Sequence, residues 1–118
     1  MKKYLNKEIE NYGVYTSPEY EQFQKDYKKY LKNMCKRNNW ELADFSPNHY
    51  NFCAVIKSGN NYCYFSISDV RYWKNEWYNH ILIRKMRHEK DWTGMENCYT
   101  SLPDAEKNIS KILRIGYC

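Results

Sequence analysis

Between Thr16 and Arg37 apolar side chains recur every three or four residues, and after Trp40 they recur every second one. That change of period restricts the chain to a helix followed by sheet, because residues share a helix face at 3.6 per turn and a strand face at two. In the first stretch Tyr20, Phe23, Tyr27, Tyr30, Leu31 and Met34 line one side. Lys25, Lys28, Lys29, Lys32 and Lys36 fall opposite them, in a wedge roughly 100° wide at about 100° per residue. Thr16-Ser17-Pro18-Glu19 supplies a capping hydroxyl, an early-turn proline and an acid for the positive helix end, and Asn38-Asn39 ends the element.

The alternating half predicts antiparallel strands. Trp40 to Phe45 is expected to form a short strand broken by the Ser46-Pro47-Asn48 turn. Tyr50 to Lys57 puts Tyr50, Phe52, Ala54 and Ile56 on one side, and Ser58-Gly59-Asn60-Asn61 reads as a hairpin turn because Gly and Asn tolerate positive φ. The returning strand, Tyr62 to Ser68, sends Cys63, Phe65 and Ile67 to one face and Tyr62, Tyr64, Ser66 and Ser68 to the other. A connection over Asp69–Asn75 leads to a long strand from about Trp77 to Met86, and Arg87 to Ser101 reads as a polar loop. Ser101-Leu102-Pro103-Asp104 opens a second helix, in which Leu102, Ala105, Ile109, Ile112 and Leu113 keep helical spacing and Gly116 follows the last turn. Residues 1–15 fit either a short helix or an edge strand.

The predicted fold is one α+β domain over residues 1–118, an antiparallel sheet of three or four strands with two helices packed on one face. Its core is expected to be Phe23, Tyr27, Leu31, Phe52, Ala54, Ile56, Phe65, Ile67, Ile81, Ile83, Ile109, Ile112 and Leu113. Aromatics are 18% of the chain, thirteen of them Tyr, whereas Ala occurs three times, so large rings with polar tips must fill that core. Trp73 and Trp77 are expected as core anchors. The five cysteines form no C-x-x-C pair, no signal peptide is apparent and no apolar run approaches the length of a membrane span. Reduced thiols in a cytoplasmic protein are the expectation, with Cys53 and Cys63 packing as small hydrophobes.

A net charge of +5 favours anionic partners. The lysine wedge could follow a phosphate backbone, or could be a solvated helix face filled by a good helix former. A second basic group, Arg84, Lys85, Arg87, His88 and Lys90 with Trp92 close behind, offers bidentate phosphate contacts and a stacking ring, or an ordinary charged strand end. Tyr62 and Tyr64 could stack bases on the sheet face away from the helices, serve protein contacts there, or pack under the N-terminal segment. His80, His88, Glu89 and Asp91 could supply metal ligands or a general base, yet no H-E-x-x-H or comparable signature surrounds them. His49 precedes Cys53 without a thiol-catalysis signature, and no phosphate-cradling glycine loop is present, so no cofactor is expected.

Two stretches, Ile67-Ser68-Asp69-Val70-Arg71 followed by Trp77, and Ile81-Leu82-Ile83-Arg84 leading into Asp91-Trp92-Thr93-Gly94, resemble a pattern in small uncharacterised proteins of phages and conjugative elements of Gram-positive bacteria. The resemblance covers roughly residues 50–113 and brings no catalytic residues with it. It implies a setting shared by regulators, DNA-transfer accessories and anti-CRISPR inhibitors. Many anti-CRISPR proteins are acidic DNA mimics, so a basic chain would have to occupy a nucleic-acid groove or bind an effector directly. The expected function is non-catalytic binding of nucleic acid or a nucleoprotein machine, with Lys25, Lys28, Lys29, Lys32, Lys36, Arg84, Arg87 and Lys90 on phosphate and Trp92, Tyr62 and Tyr64 stacking. The alternatives are a protein-binding inhibitor using the aromatic sheet face and a small metal-dependent nuclease.

Overall fold

A computed structural model describes residues 18–47, 51–68 and 73–117. The expected hydroxyl cap at Thr16-Ser17, the N-terminal segment, His49, Tyr50 and the Asp69–Arg71 stretch lie outside the described residues. The elements run α1 (Pro18–Asn38), β1 (Glu41–Pro47), β2 (Asn51–Ser58), β3 (Asn61–Ser68), β4 (Ile81–Met86), β5 (Cys98–Thr100) and α2 (Ala105–Ile115). The α+β class holds, but among the described residues the sheet has five strands, not three or four, in the order β1-β2-β3-β4-β5.

Every neighbouring pair of strands is antiparallel. Gly59 at φ +59° and Asn60 make a two-residue loop between paired Ser58 and Asn61. The register aligns Phe52 with Ile67, Ala54 with Phe65, Ile56 with Cys63, and Phe65 in turn with Ile83. Alternation therefore gathers these apolar side chains on one sheet face, and Phe23, Tyr27, Leu31 and Met34 of α1 with Ile109, Ile112 and Leu113 of α2 complete a single core against it. All thirteen expected core residues are buried. Rings dominate the centre: Tyr27 stacks on Phe52 with centroids 5.2 Å apart, and Phe23 meets Phe52 at the same distance in a tilted pair.

Differences from the expected boundaries have local causes. The strand expected to start near Trp77 begins at Ile81, because Asn75 Oδ1 accepts the Trp77 N–H at 2.8 Å and holds that stretch in a turn. Trp73 is buried and its indole N–H donates to Ser68 Oγ at 3.2 Å, whereas Trp77 is 62% exposed and is no core anchor. Within the expected polar loop, Cys98-Tyr99-Thr100 pairs with Ile83, Leu82 and Ile81 as the fifth strand. Cys98 is disulfide-bonded, while Cys35 and Cys63 are free thiols, so the expectation of reduced cysteines throughout fails at Cys98.

Tertiary pairing also ties the two helices together. Arg37 Nη2 pairs with Glu106 Oε1, and Asn38 Nδ2 donates to Glu106 Oε2 at 3.1 Å and to the Met34 carbonyl at 2.8 Å. Gly116, at φ +82°, closes α2 by donating its N–H to the Ile112 carbonyl at 2.9 Å. Among the described residues no helix is long and apolar enough to cross a membrane.

Candidate nucleic-acid interface

Lys25, Lys28, Lys29, Lys32 and Lys36 are all solvent-exposed, as the helical spacing required once Phe23, Tyr27, Leu31 and Met34 turned inward. From Lys25 to Lys36 the row extends roughly 16 Å at 1.5 Å per residue. Among the described residues no carboxylate lies within ion-pairing distance of these five ammonium groups. Lys28 Nζ sits 5.7 Å from the centroid of the Phe45 ring, so its stem crosses toward β1. Glu21 is exposed on the same side of the helix, at its N-terminal end, where the helix dipole favours an acid. The result is a positive ridge on a rigid element.

The second basic group is arranged differently. Arg84 stands on the sheet face turned from the core, with its guanidinium carbon 4.4 Å from the centroid of the Tyr64 ring. Its Nη2 donates to the Trp92 carbonyl at 2.5 Å and its Nη1 to Asn97 Oδ1 at 3.3 Å. The loop between β4 and β5 thus folds back over Arg84. Asp91 organises that loop from inside: its carboxylate accepts the Arg87 N–H at 3.0 Å, the Thr93 hydroxyl at 3.1 Å and the Gly94 N–H at 3.1 Å. These bonds, the Arg87 backbone donor first, hold the Asp91 carboxyl below its ordinary value. The Met95 N–H donates to the Lys85 carbonyl at 2.9 Å and pins the loop's far end.

Tyr64 is correspondingly engaged on several sides. Arg84 covers its ring, Trp92 meets it edge-on at 6.4 Å, and its hydroxyl donates to Cys53 Sγ at 3.1 Å. Tyr62 is half-buried, with Lys57 Nζ 5.7 Å from its ring centroid. Val55, opposite Tyr64, and Met86, opposite Tyr62, are buried on this same face. The tyrosines are therefore not an open stacking platform. Arg87, Lys90 and Trp92 remain exposed at the loop surface, Trp92 by 51%.

The expected site residues consequently separate into two surfaces. The lysine ridge looks outward from α1, and Arg84, Tyr62, Tyr64 and Trp92 belong to the other side of the sheet, with core and sheet between them. They do not merge for a simple reason: α1 turns its apolar face to the core, so its lysines must point away from the sheet. Tyr99 and Met95 were absent from the expected site and are 57% and 49% exposed. Buried Cys98, exposed Tyr99 and buried Thr100 alternate along this edge strand, which is too short for the pattern to stand out in the sequence.

His80, His88, Glu89 and Asp91 do not converge. His80 packs against Tyr78 and Trp73 at centroid distances of 5.3 and 6.1 Å, His88 Nδ1 accepts the Lys90 N–H at 3.3 Å, and Asp91 is enclosed by its loop. Among the described residues no group of three or more His, Cys, Asp or Glu side chains is placed to hold a metal ion. Comparison with family models, curated proteins and solved structures finds no match to this chain.

Proposed function

We propose that this protein is a non-catalytic binder of nucleic acid, alone or within a nucleoprotein machine, and that its contact surface is the lysine ridge of α1. The observation that carries the reading is five exposed lysines on one face of one helix, unpaired with any carboxylate among the described residues, in a chain of charge +5. Such a ridge neutralises phosphates and releases their counterions. It lacks Arg, which suits point-charge contact with the backbone over bidentate reading of bases. Arg84 is spent on the β4–β5 loop and contributes little to this surface, whereas Arg87 and Lys90 extend the positive field on the opposite side. The setting we assign to it is that of the phage and conjugative-element proteins it resembles. A cytoplasmic location belongs to the same proposal, although the disulfide at Cys98 removes the argument from reduced thiols.

Binding of labelled single-stranded and duplex DNA and RNA should weaken steeply with salt, with a logarithmic slope of about −4 to −5 on duplex if all five lysines engage. Replacing Lys25, Lys28, Lys29, Lys32 and Lys36 together by Gln should abolish it without lowering the unfolding midpoint. Salt-insensitive binding, or binding retained by that variant, would sink the reading.

A second reading has its own observation. Trp92, Met95 and Tyr99 are large exposed side chains in the β4–β5 region, the kind that anchor protein interfaces. In that case the molecule is an inhibitor that binds a protein, and its affinity resists salt.

A further inference from the structure

The geometry points to a phosphoryl-binding site at Arg84, with Tyr64 as its floor and the Trp92 indole beside it, held closed by the β4–β5 loop. The inference is independent of the α1 ridge, which lies on the other side of the sheet. Arg84 is a half-buried cation whose acceptors are both neutral, the Trp92 carbonyl and the Asn97 amide oxygen. No carboxylate among the described residues pairs with it. Its Nε–H is buried and has no hydrogen-bond partner among the described residues. A half-buried guanidinium with a sealed, vacant Nε donor and only neutral acceptors is incompletely compensated. A phosphate oxygen pair offers charge-assisted, bidentate bonds that are roughly twice as strong as those to neutral acceptors.

The closed loop is what keeps that donor sealed. A Cβ at Gly94 would lie 2.7 Å from Arg84 Cδ and 2.8 Å from Nε, so only glycine lets the loop backbone approach so closely. An incoming phosphoryl group would displace the Trp92 carbonyl and shift the Gly94 backbone, while the Asp91 bonds keep the turn itself folded. On the β4–β5 loop Arg87 and Lys90 are exposed attractive charges and Glu89 and Glu96 exposed opposing ones. The accessible Trp92 indole, 6.4 Å from the Tyr64 ring that underlies the guanidinium, then offers a ring beside the phosphoryl group. The ligand class that matches both is a nucleoside monophosphate or a nucleotide at a strand end.

The test is an amide and indole chemical-shift titration of the full chain with inorganic phosphate, a nucleoside 5′-monophosphate and the unphosphorylated nucleoside. Saturable shifts at Gly94, Asn97 and the Trp92 indole are expected with both phosphates, tighter for the monophosphate, and not with the nucleoside. Arg84→Met should remove them, and the five-lysine Gln variant should leave them unchanged, which separates this site from the ridge. If Arg84→Met fails to fold, Asn97→Ala decides: freeing one competing acceptor should tighten phosphate binding by about threefold. No saturable shift up to about 10 mM, equal binding of the nucleoside, shifts retained in Arg84→Met, or unchanged affinity in Asn97→Ala would each overturn the inference.

Discussion

Tyr27 shows how a single residue can be right for shape and wrong for polarity. Its ring is fully buried between Phe23, Phe52 and Phe65, and its hydroxyl has no hydrogen-bond partner among the described residues. Burial raises that hydroxyl well above its ordinary pKa, as expected for a group whose charged form has been removed from water. Tyr27→Phe keeps the packing and deletes the orphaned group, so it should stabilise the fold by up to about 1–3 kcal/mol. A urea midpoint that falls in this variant would show that the hydroxyl has a partner after all. Gly94 is the opposite case, a position where nothing larger fits. At φ +61° and in contact with Arg84, Gly94→Ala should cost about 1–3 kcal/mol and loosen the loop, read as faster amide exchange at Met95.

At the scale of elements, the β4–β5 loop depends on one carboxylate. Because bonds from Arg87, Gly94 and Thr93 hold the Asp91 carboxyl below its ordinary value of 3.8, the charged form is the one the fold prefers. The loop's contribution to stability is therefore complete above that value and is lost as pH falls through the lower, folded one. Asp91→Asn should flatten the acid limb of a stability–pH profile below about pH 4, while leaving the neutral-pH helix signal intact. An unchanged acid limb would place the loop's anchorage elsewhere. The helices offer a contrasting pair: Arg37 and Glu106 are both substantially exposed where they join α1 to α2. Glu106→Gln should cost under about 1 kcal/mol, and less still at high salt.

For the whole molecule, burial makes two thiols reporters of global unfolding. Cys35 is pushed up to about 11 and Cys63 to about 12 by desolvation, so neither presents a thiolate near neutrality. Alkylation at pH 8 should modify neither in the native protein and both after denaturation, as read by peptide mapping. Labelling of Cys63 without loss of the helix signal would show that the β2–β3–β4 core opens locally. The same scale governs the functional reading. Core and sheet separate the lysine ridge from Arg84 and its rings, so one short ligand cannot touch both surfaces.

Much of this organisation is legible in residue order, for local reasons. A period of 3.6 can hide its apolar stripe in one way only, which determined that Phe23, Tyr27, Leu31 and Met34 are inside and the five lysines outside. Alternation and the Gly59-Asn60 turn likewise determined the β2–β3 pairing and the inward faces of Phe52, Phe65 and Ile83. What only the tertiary structure decided concerns groups whose partners are distant along the chain or drawn from irregular segments. Arg84 reads as a free cation until the loop eight to thirteen residues later folds onto it. Trp73 and Trp77 read alike until Ser68 takes the indole proton of the first and the turn at Asn75 holds the second outside the core. The fifth strand is invisible until β4 offers it an edge. Periodicity encodes which face of an element is apolar, but hydrogen bonds between elements are settled by position in space.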